Sequence, residues 1–221
     1  MDFNDAVDFA SAWLKPLIKD GSLSNYPVEP GEYSYVFGLQ IQQGVDNHPI
    51  YPTFYEVPDG VVQYLYMKSG RDKAAYDTLK RITASRILRG EDINEAERFF
   101  IAGCILGKVS PPTSQRSRLT KTLAGNVLII FLALKLHEEF GFQLFRNDST
   151  EDARSVCDIV SIALEMHGVY KTPRAIKDLL THKSSRVARD TVEAILKIQE
   201  EQRAGRGIIE LDIPTVFPEI Y

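Results

Sequence analysis

Cysteine, methionine and tryptophan are scarce in this chain: two, three and one among 221 residues. Cys104 and Cys157 stand apart in the apolar stretches IAGCILG and RSVCDIV, with no CxxC and no cysteine–histidine cluster. That excludes a disulfide scaffold and leaves zinc or thiol redox chemistry without support, so both cysteines read as core thiols. Long hydrophobic runs are missing too. Val127–Leu134 is apolar without a break, but a bilayer span needs about 18–20 residues. The acidic, polar start MDFNDAVDFA does not resemble a signal peptide, so a soluble, cytoplasmic protein is expected.

Also lacking is a basic excess. The formal net charge is −4, where a nucleic-acid protein would usually be net basic. The charge is unevenly placed. Acids and bases number 9 and 3 in residues 1–70, 6 and 11 in 71–121, 7 and 3 in 122–170, and 8 and 9 in 171–221.

What is present is helical periodicity. Phe3, Val7, Ala10, Leu14 and Leu17 make one apolar face over 2–19, with Pro16 expected to kink or end the helix. Residues 20–31 read as a loop. The stretch 32–69, with Tyr26 just before it, gathers seven of the ten tyrosines. The segment 33–44 reads as strand or helix, with helix preferred. A loop through Pro49 and Pro52 and a helix over 58–69 follow. A helix over 72–89 is expected, with Asp77 and Arg81 paired at i,i+4 and Gly90 as stop. Asp92 and Glu95 read as a capping box for 93–107. The all-apolar helix 122–140 belongs in the middle of a bundle. Asn147 and Ser149 open a helix at about 151–167, with Asp158 on its polar stripe. Thr172 and Pro173 start a short helix to Leu180. The last helix runs from Ser184 or Ser185 to about Gln202, with Val187, Thr191, Ile195 and Ile198 inward.

Together these predict an all-α protein, an irregular multi-helix bundle around 122–140. Residues 1–207 form a single helical domain, with 108–121 as the candidate point of subdivision. Residues 208–221 form an extended C-terminal tail. That tail holds Ile208, Ile209, Leu211, Ile213, Val216, Phe217 and Ile220, enough apolar surface to offset the entropy of ordering it in a groove. The groove belongs to its own chain or to a second copy, and the second case makes a homodimer through 208–221.

Signatures of chemistry are sparse. No GxSxG, GxGxxG or GxxxxGK[ST] occurs. His137-Glu138-Glu139 begins like a zinc-protease helix, but position 141 is glycine where the second histidine is required. Asp158 and Glu165 share a helix face two turns apart, a spacing common on solvated surfaces. No metal site and no cofactor are expected. Two basic stretches remain. Lys108, Arg116, Arg118 and Lys121 sit among hydroxyl residues, without an acid, ahead of a helix start, which suits an anion. Lys171, Arg174, Lys177, Lys183, Arg186 and Arg189 face a single Asp178 across two short helices. That arrangement resembles a helix-turn-helix with Ile176, Leu180 and Val187 as its core.

Four segments, ILRGEDINEAERFFIAGCILGK, SPPTSQRSR, FGFQLFRND and SVCDIVSIAL, carry a resemblance over about residues 86–165. In order, they look like a group of uncharacterised helical proteins of bacteria and their prophages. Phe145 stands where that group commonly has a threonine before the Arg-Asn pair. The resemblance implies a bacterial cytosolic origin and no activity. The functional expectation is a non-enzymatic interaction or regulatory protein with a protein partner. One alternative is a DNA- or RNA-binding module through 171–189. The other is a phosphate or small-molecule binder or enzyme with its site near 108–121 and Arg146. Catalysis is neither assigned nor excluded, and no membrane partner is expected.

Overall fold

The computed structural model describes residues 2–19, 30–113, 122–146 and 154–205. The tail at 208–221, and the caps expected at Asn147 and Ser149, lie outside the described residues. In chain order the elements are α1 (Phe3–Lys19), α2 (Pro30–Gly38), β1 (Gln42–Val45), β2 (Thr53–Glu56), α3 (Asp59–Ser69), α4 (Lys73–Arg89), α5 (Glu95–Ile105), α6 (Leu123–Phe140), α7 (Val156–Glu165), α8 (Pro173–Thr181) and α9 (Arg186–Arg203). The fold is all-α apart from one small hairpin. No helix among the described residues is long and apolar enough to cross a membrane. By contact the chain divides into two compact units, Met1–Pro30 with Arg118–Val192, and Gly31–Ser117 with Glu193–Tyr221.

In the first unit α6 is the buried centre. Val127 through Ala133 are all buried, as is Leu136, so the uniformly apolar run is covered on every side, as expected of a helix without a polar face. Helices α1, α7 and α8 pack on it. Trp13 stacks on Phe131 at 6.2 Å between centroids, and Phe9 meets Phe140 at 5.3 Å. Helix α1 does not end at Pro16 but runs on to Lys19. Ala12 and Pro16 are both exposed, so the carbonyl deprived of its donor has water available. Helix α7 begins later than the sequence suggests, because its cap is Ser155. The Asp158 side chain closes the capping box at the third helical position. Thr172 caps α8, with Pro173 in its first turn. Helix α9 begins in this unit, where Ala188, Thr191 and Val192 are buried and Val187 is 44% exposed, while its residues from Glu193 on, with the buried Ile195 and Ile198, belong to the second unit. The helix starts at Arg186, so Val187, four residues before Thr191, lies at the edge of the buried face in the first turn.

The second unit holds the correction to 33–44. Helix α2 stops at Gly38, and residues 42–45 pair antiparallel with 53–56, Gly44 opposite Phe54. A Cβ on Gly44 would run into the Phe54 ring, so glycine is what lets the ring lie across the strand. Arg89 closes the hairpin, donating from Nη1 and Nη2 to Asp46 at 2.9 and 2.6 Å and from Nη1 to the Tyr51 carbonyl. Gly90 takes φ 70° as the left-handed cap of α4, as Gly141 does for α6 at 73°. Two expected side-chain pairings differ. Asp77 pairs with Lys73, while Arg81 reaches the buried Glu32 of α2 at 3.2 Å. The box on α5 is Asn94 with Glu97 instead of Asp92 with Glu95. Glu97 is fully buried and anchored by Arg86 at 2.9 Å and by Thr83, which fixes the start of α5 at Glu95.

Candidate functional site

An open cleft of about 410 Å³ lies in the first unit, walled by the first turns of α1 and α7 and by Pro173 of α8. Its polar groups come from residues far apart in sequence: Asn4, Arg146, Arg154, Asp158 and Ser161. Local contacts place four of them, Arg146, Arg154, Asp158 and Ser161. After the left-handed turn at Gly141, the irregular segment 142–146 is tied to the head of α7 by Val156 N–H on the Gln143 carbonyl at 2.9 Å and Cys157 N–H on the Leu144 carbonyl at 3.4 Å. That delivers Arg146 opposite Asp158. The guanidinium donates from Nε to Oδ2 at 2.9 Å and reaches Oδ1 from Nη2 at 2.7 Å, a two-pronged fit.

Asp158 is only 4% exposed. It also accepts from the Ser155 backbone N–H at 2.9 Å and the Ser155 hydroxyl at 2.7 Å. Burial alone would raise this carboxyl. The hydrogen bonds from Arg146 and Ser155 outweigh it and hold the group below its ordinary range. It is therefore a fixed anchor that orients Arg146, whose side chain is otherwise largely in solvent. Arg154, just before α7, is exposed, and its guanidinium lies over the Phe3 ring at 4.6 Å. Phe3 is in turn set edge-on against Phe142 at 6.0 Å. Ser161 donates to the Lys171 carbonyl at 2.8 Å and fastens the chain ahead of α8 to the rim.

A second cavity, of about 300 Å³, lies in the other unit among α2, α3 and α9. Five of its polar side chains, Tyr35, Tyr64, Lys68, Asp72 and Glu201, interact with one another. Tyr35 donates to Asp72 at 2.7 Å and Tyr64 to Glu201 at 2.9 Å. Burial first, and then these carboxylates, push both phenols well above their usual value. Lys68 sits 5.3 Å above the Tyr64 ring and 3.9 Å from Glu201. The other oxygen of Asp72 caps α4. This cavity already holds its own cation.

The residues singled out from sequence fall as follows. Arg116, Arg118 and Lys121 lie outside the described residues, and Lys108 is exposed at the end of the turn after α5. Of the 171–189 set, Arg189 donates to the carbonyls of Leu179 and His182 at 3.3 and 2.7 Å, finishing the end of α8. Arg186 faces Asp190 at 3.5 Å, and Lys177 sits over Phe145 at 5.6 Å. Arg174 and Lys183 are exposed and Lys171 is half-buried. Of the expected helix-turn-helix core, Ile176 is buried, Leu180 half-buried and Val187 exposed. His167 places Nε2 3.0 Å from both the hydroxyl and the carbonyl oxygen of Ser11. No group of three or more His, Cys, Asp and Glu side chains suited to a metal converges among the described residues.

Sequence reasoning named Arg146 and passed over Arg154 and the anchoring role of Asp158. The available signal was Ser155-x-x-Asp158 ahead of the apolar run VCDIVSIAL, a capping-box spacing that binds the acid to the helix start. Compared with family models, with curated proteins and with solved structures, the chain finds no match.

Proposed function

We propose that this is a binding protein without a catalytic step of its own, and that the cleft of the first unit receives an anionic group between Arg146 and Arg154. The observation that carries this is the state of Arg146. Asp158 fixes the guanidinium on one edge, and Nη1 makes no hydrogen bond among the described residues. An oriented cation with donors to spare, next to a second guanidinium stacked on an aromatic ring, is preorganised for a carboxylate or phosphate. This joins the interaction-protein reading with part of another, the phosphate or small-molecule site near 108–121 and Arg146, of which Arg146 alone lines this cleft among the described residues. A cytoplasmic location and a homodimer through 208–221 belong to the same proposal, supported by the two free thiols Cys104 and Cys157 and by the apolar tail sequence.

Titration calorimetry with inorganic phosphate and with glutarate tests the cleft. Binding that weakens with added salt, and at least fivefold in Arg154→Gln at unchanged melting temperature, is the expected result. Affinity equal in the two proteins overturns it.

A further inference from the structure

The cleft does not end at its polar wall. Ile162 of α7 lines it and is 40% exposed, and Met166, one turn further along, is 57% exposed. Residues four apart on a helix share a face, so a short aliphatic stripe leads directly away from the two guanidiniums. A free inorganic anion makes no use of such a stripe. A nucleic-acid backbone suits it poorly as well, because the repeated negative charges that follow the first would run along the aliphatic side chains and past the exposed Glu165. The chemistry that matches both features is one negative charge with an aliphatic group at a fixed distance from it.

Resting on the anion-binding reading above, we infer that the occupant is an extended peptide with an Asp or Glu seated between Arg146 and Arg154 and a Leu or Ile two positions away lying on Ile162 and Met166. In an extended chain, alternate side chains point the same way about 6.5–7 Å apart. One turn of helix advances about 5.4 Å. Arg146 is seated on Asp158, one turn before Ile162, so an acid on that guanidinium places its i+2 neighbour about one turn along, at the stripe. Charge complementarity selects the acid, and the exposed aliphatic pair selects its neighbour. The cleft volume lies within the roughly 300–1,000 Å³ of ordinary ligand sites.

The test is an NMR titration of the full chain with the synthetic peptide Gly-Gly-Glu-Ser-Leu-Gly-Gly, its ends blocked. Two further peptides carry Gln for the Glu or Ser for the Leu. Shifts centred on Arg154, Ser161, Ile162 and Met166 are expected, with affinity falling roughly tenfold for either peptide change. In Met166→Ser, an exposed position that leaves the core intact, the advantage of Leu over Ser in the peptide should shrink to less than twofold, while the Gln penalty persists. If the Leu makes no difference in the wild-type protein while phosphate and glutarate still bind, the peptide inference is overturned and the anion site stands. If neither the peptides nor the small anions bind, both are overturned. Stronger binding of a ten-residue oligothymidylate than of the peptide, with shifts at the same residues, also overturns the peptide inference.

Discussion

The two units use their arginines in opposite ways. In the second, Arg81, Arg86 and Arg89 are paired with Glu32, Glu97 and Asp46, and Arg86 and Arg89 also bind the carbonyls of Val57 and Tyr51. They cross-link a helix pair and a hairpin that has little apolar surface of its own. In the first, the core is α6 with its aliphatic and aromatic neighbours, and the guanidiniums of Arg146 and Arg154 stand at the rim of a cleft. Both units bury a large apolar core, so the contrast lies in where these guanidiniums are used: on cross-links between elements in the second, at a cleft in the first. The two sets of arginines should therefore respond differently to removal.

The largest expected effect is in the second unit. Arg86→Ala leaves the fully buried Glu97 carboxylate without its countercharge and should cost about 3–5 kcal/mol in urea unfolding. Arg154→Gln in the first unit, at an exposed site, should change stability by less than about 0.5 kcal/mol. Similar losses from the two would break the contrast. Next comes Leu132→Ala in α6, a fully buried position that should lose about 2–5 kcal/mol with no polar partner involved.

A smaller effect is expected from pH. Arg89 holds the Asp46 carboxyl down at about 2, with the His48 backbone N–H assisting. A folded value below the unfolded one of about 3.9 means that the contact adds stability above pH 4 and loses it as pH falls towards 2. NMR titration of the Asp46 carboxyl should give a midpoint near 2, returning to the ordinary range in Arg89→Gln. The pair is solvent-exposed, so the change in melting should be slight. The last expectation concerns rate alone. Burial pushes the Cys157 thiol up to about 11, whereas Cys104 is half-buried beside the Tyr76 hydroxyl at 3.5 Å. Iodoacetamide at pH 8 should modify Cys104 first, followed by mass spectrometry of the intact protein and its peptides.

The first unit was the more legible in sequence for the same physical reason. An apolar run such as Val127–Leu134 reports burial directly, and caps such as Thr172 with Pro173 are local signals. Long-range charge pairing leaves no local trace. Asp77 has Lys73 and Arg81 equally spaced about it, and only the position of Glu32, distant in sequence, decides that Arg81 goes elsewhere. The hairpin was missed because Gln42–Val45 is short, polar and interrupted by Gly44. Its pairing depends on Phe54 and on Arg89, some 45 residues beyond Gly44. The cleft was half visible. Arg146 stood out beside its Asn, but the partner that fixes it sat on a helix face that alternation alone had assigned to solvent.

The Ser11–His167 contact has a consequence for how the chain is made. Helix α1 leaves the ribosome early, yet its partners α6 and α7 are encoded only after Leu123. At about 5–20 residues per second, the roughly hundred residues between Lys19 and Leu123 take about 5–20 s to synthesise. For that interval the face formed by Val7, Ala10 and Leu14 has no native surface to cover it. Nascent chains halted before α6 should thus be the form most readily captured by a ribosome-associated chaperone, and release should coincide with the emergence of α7.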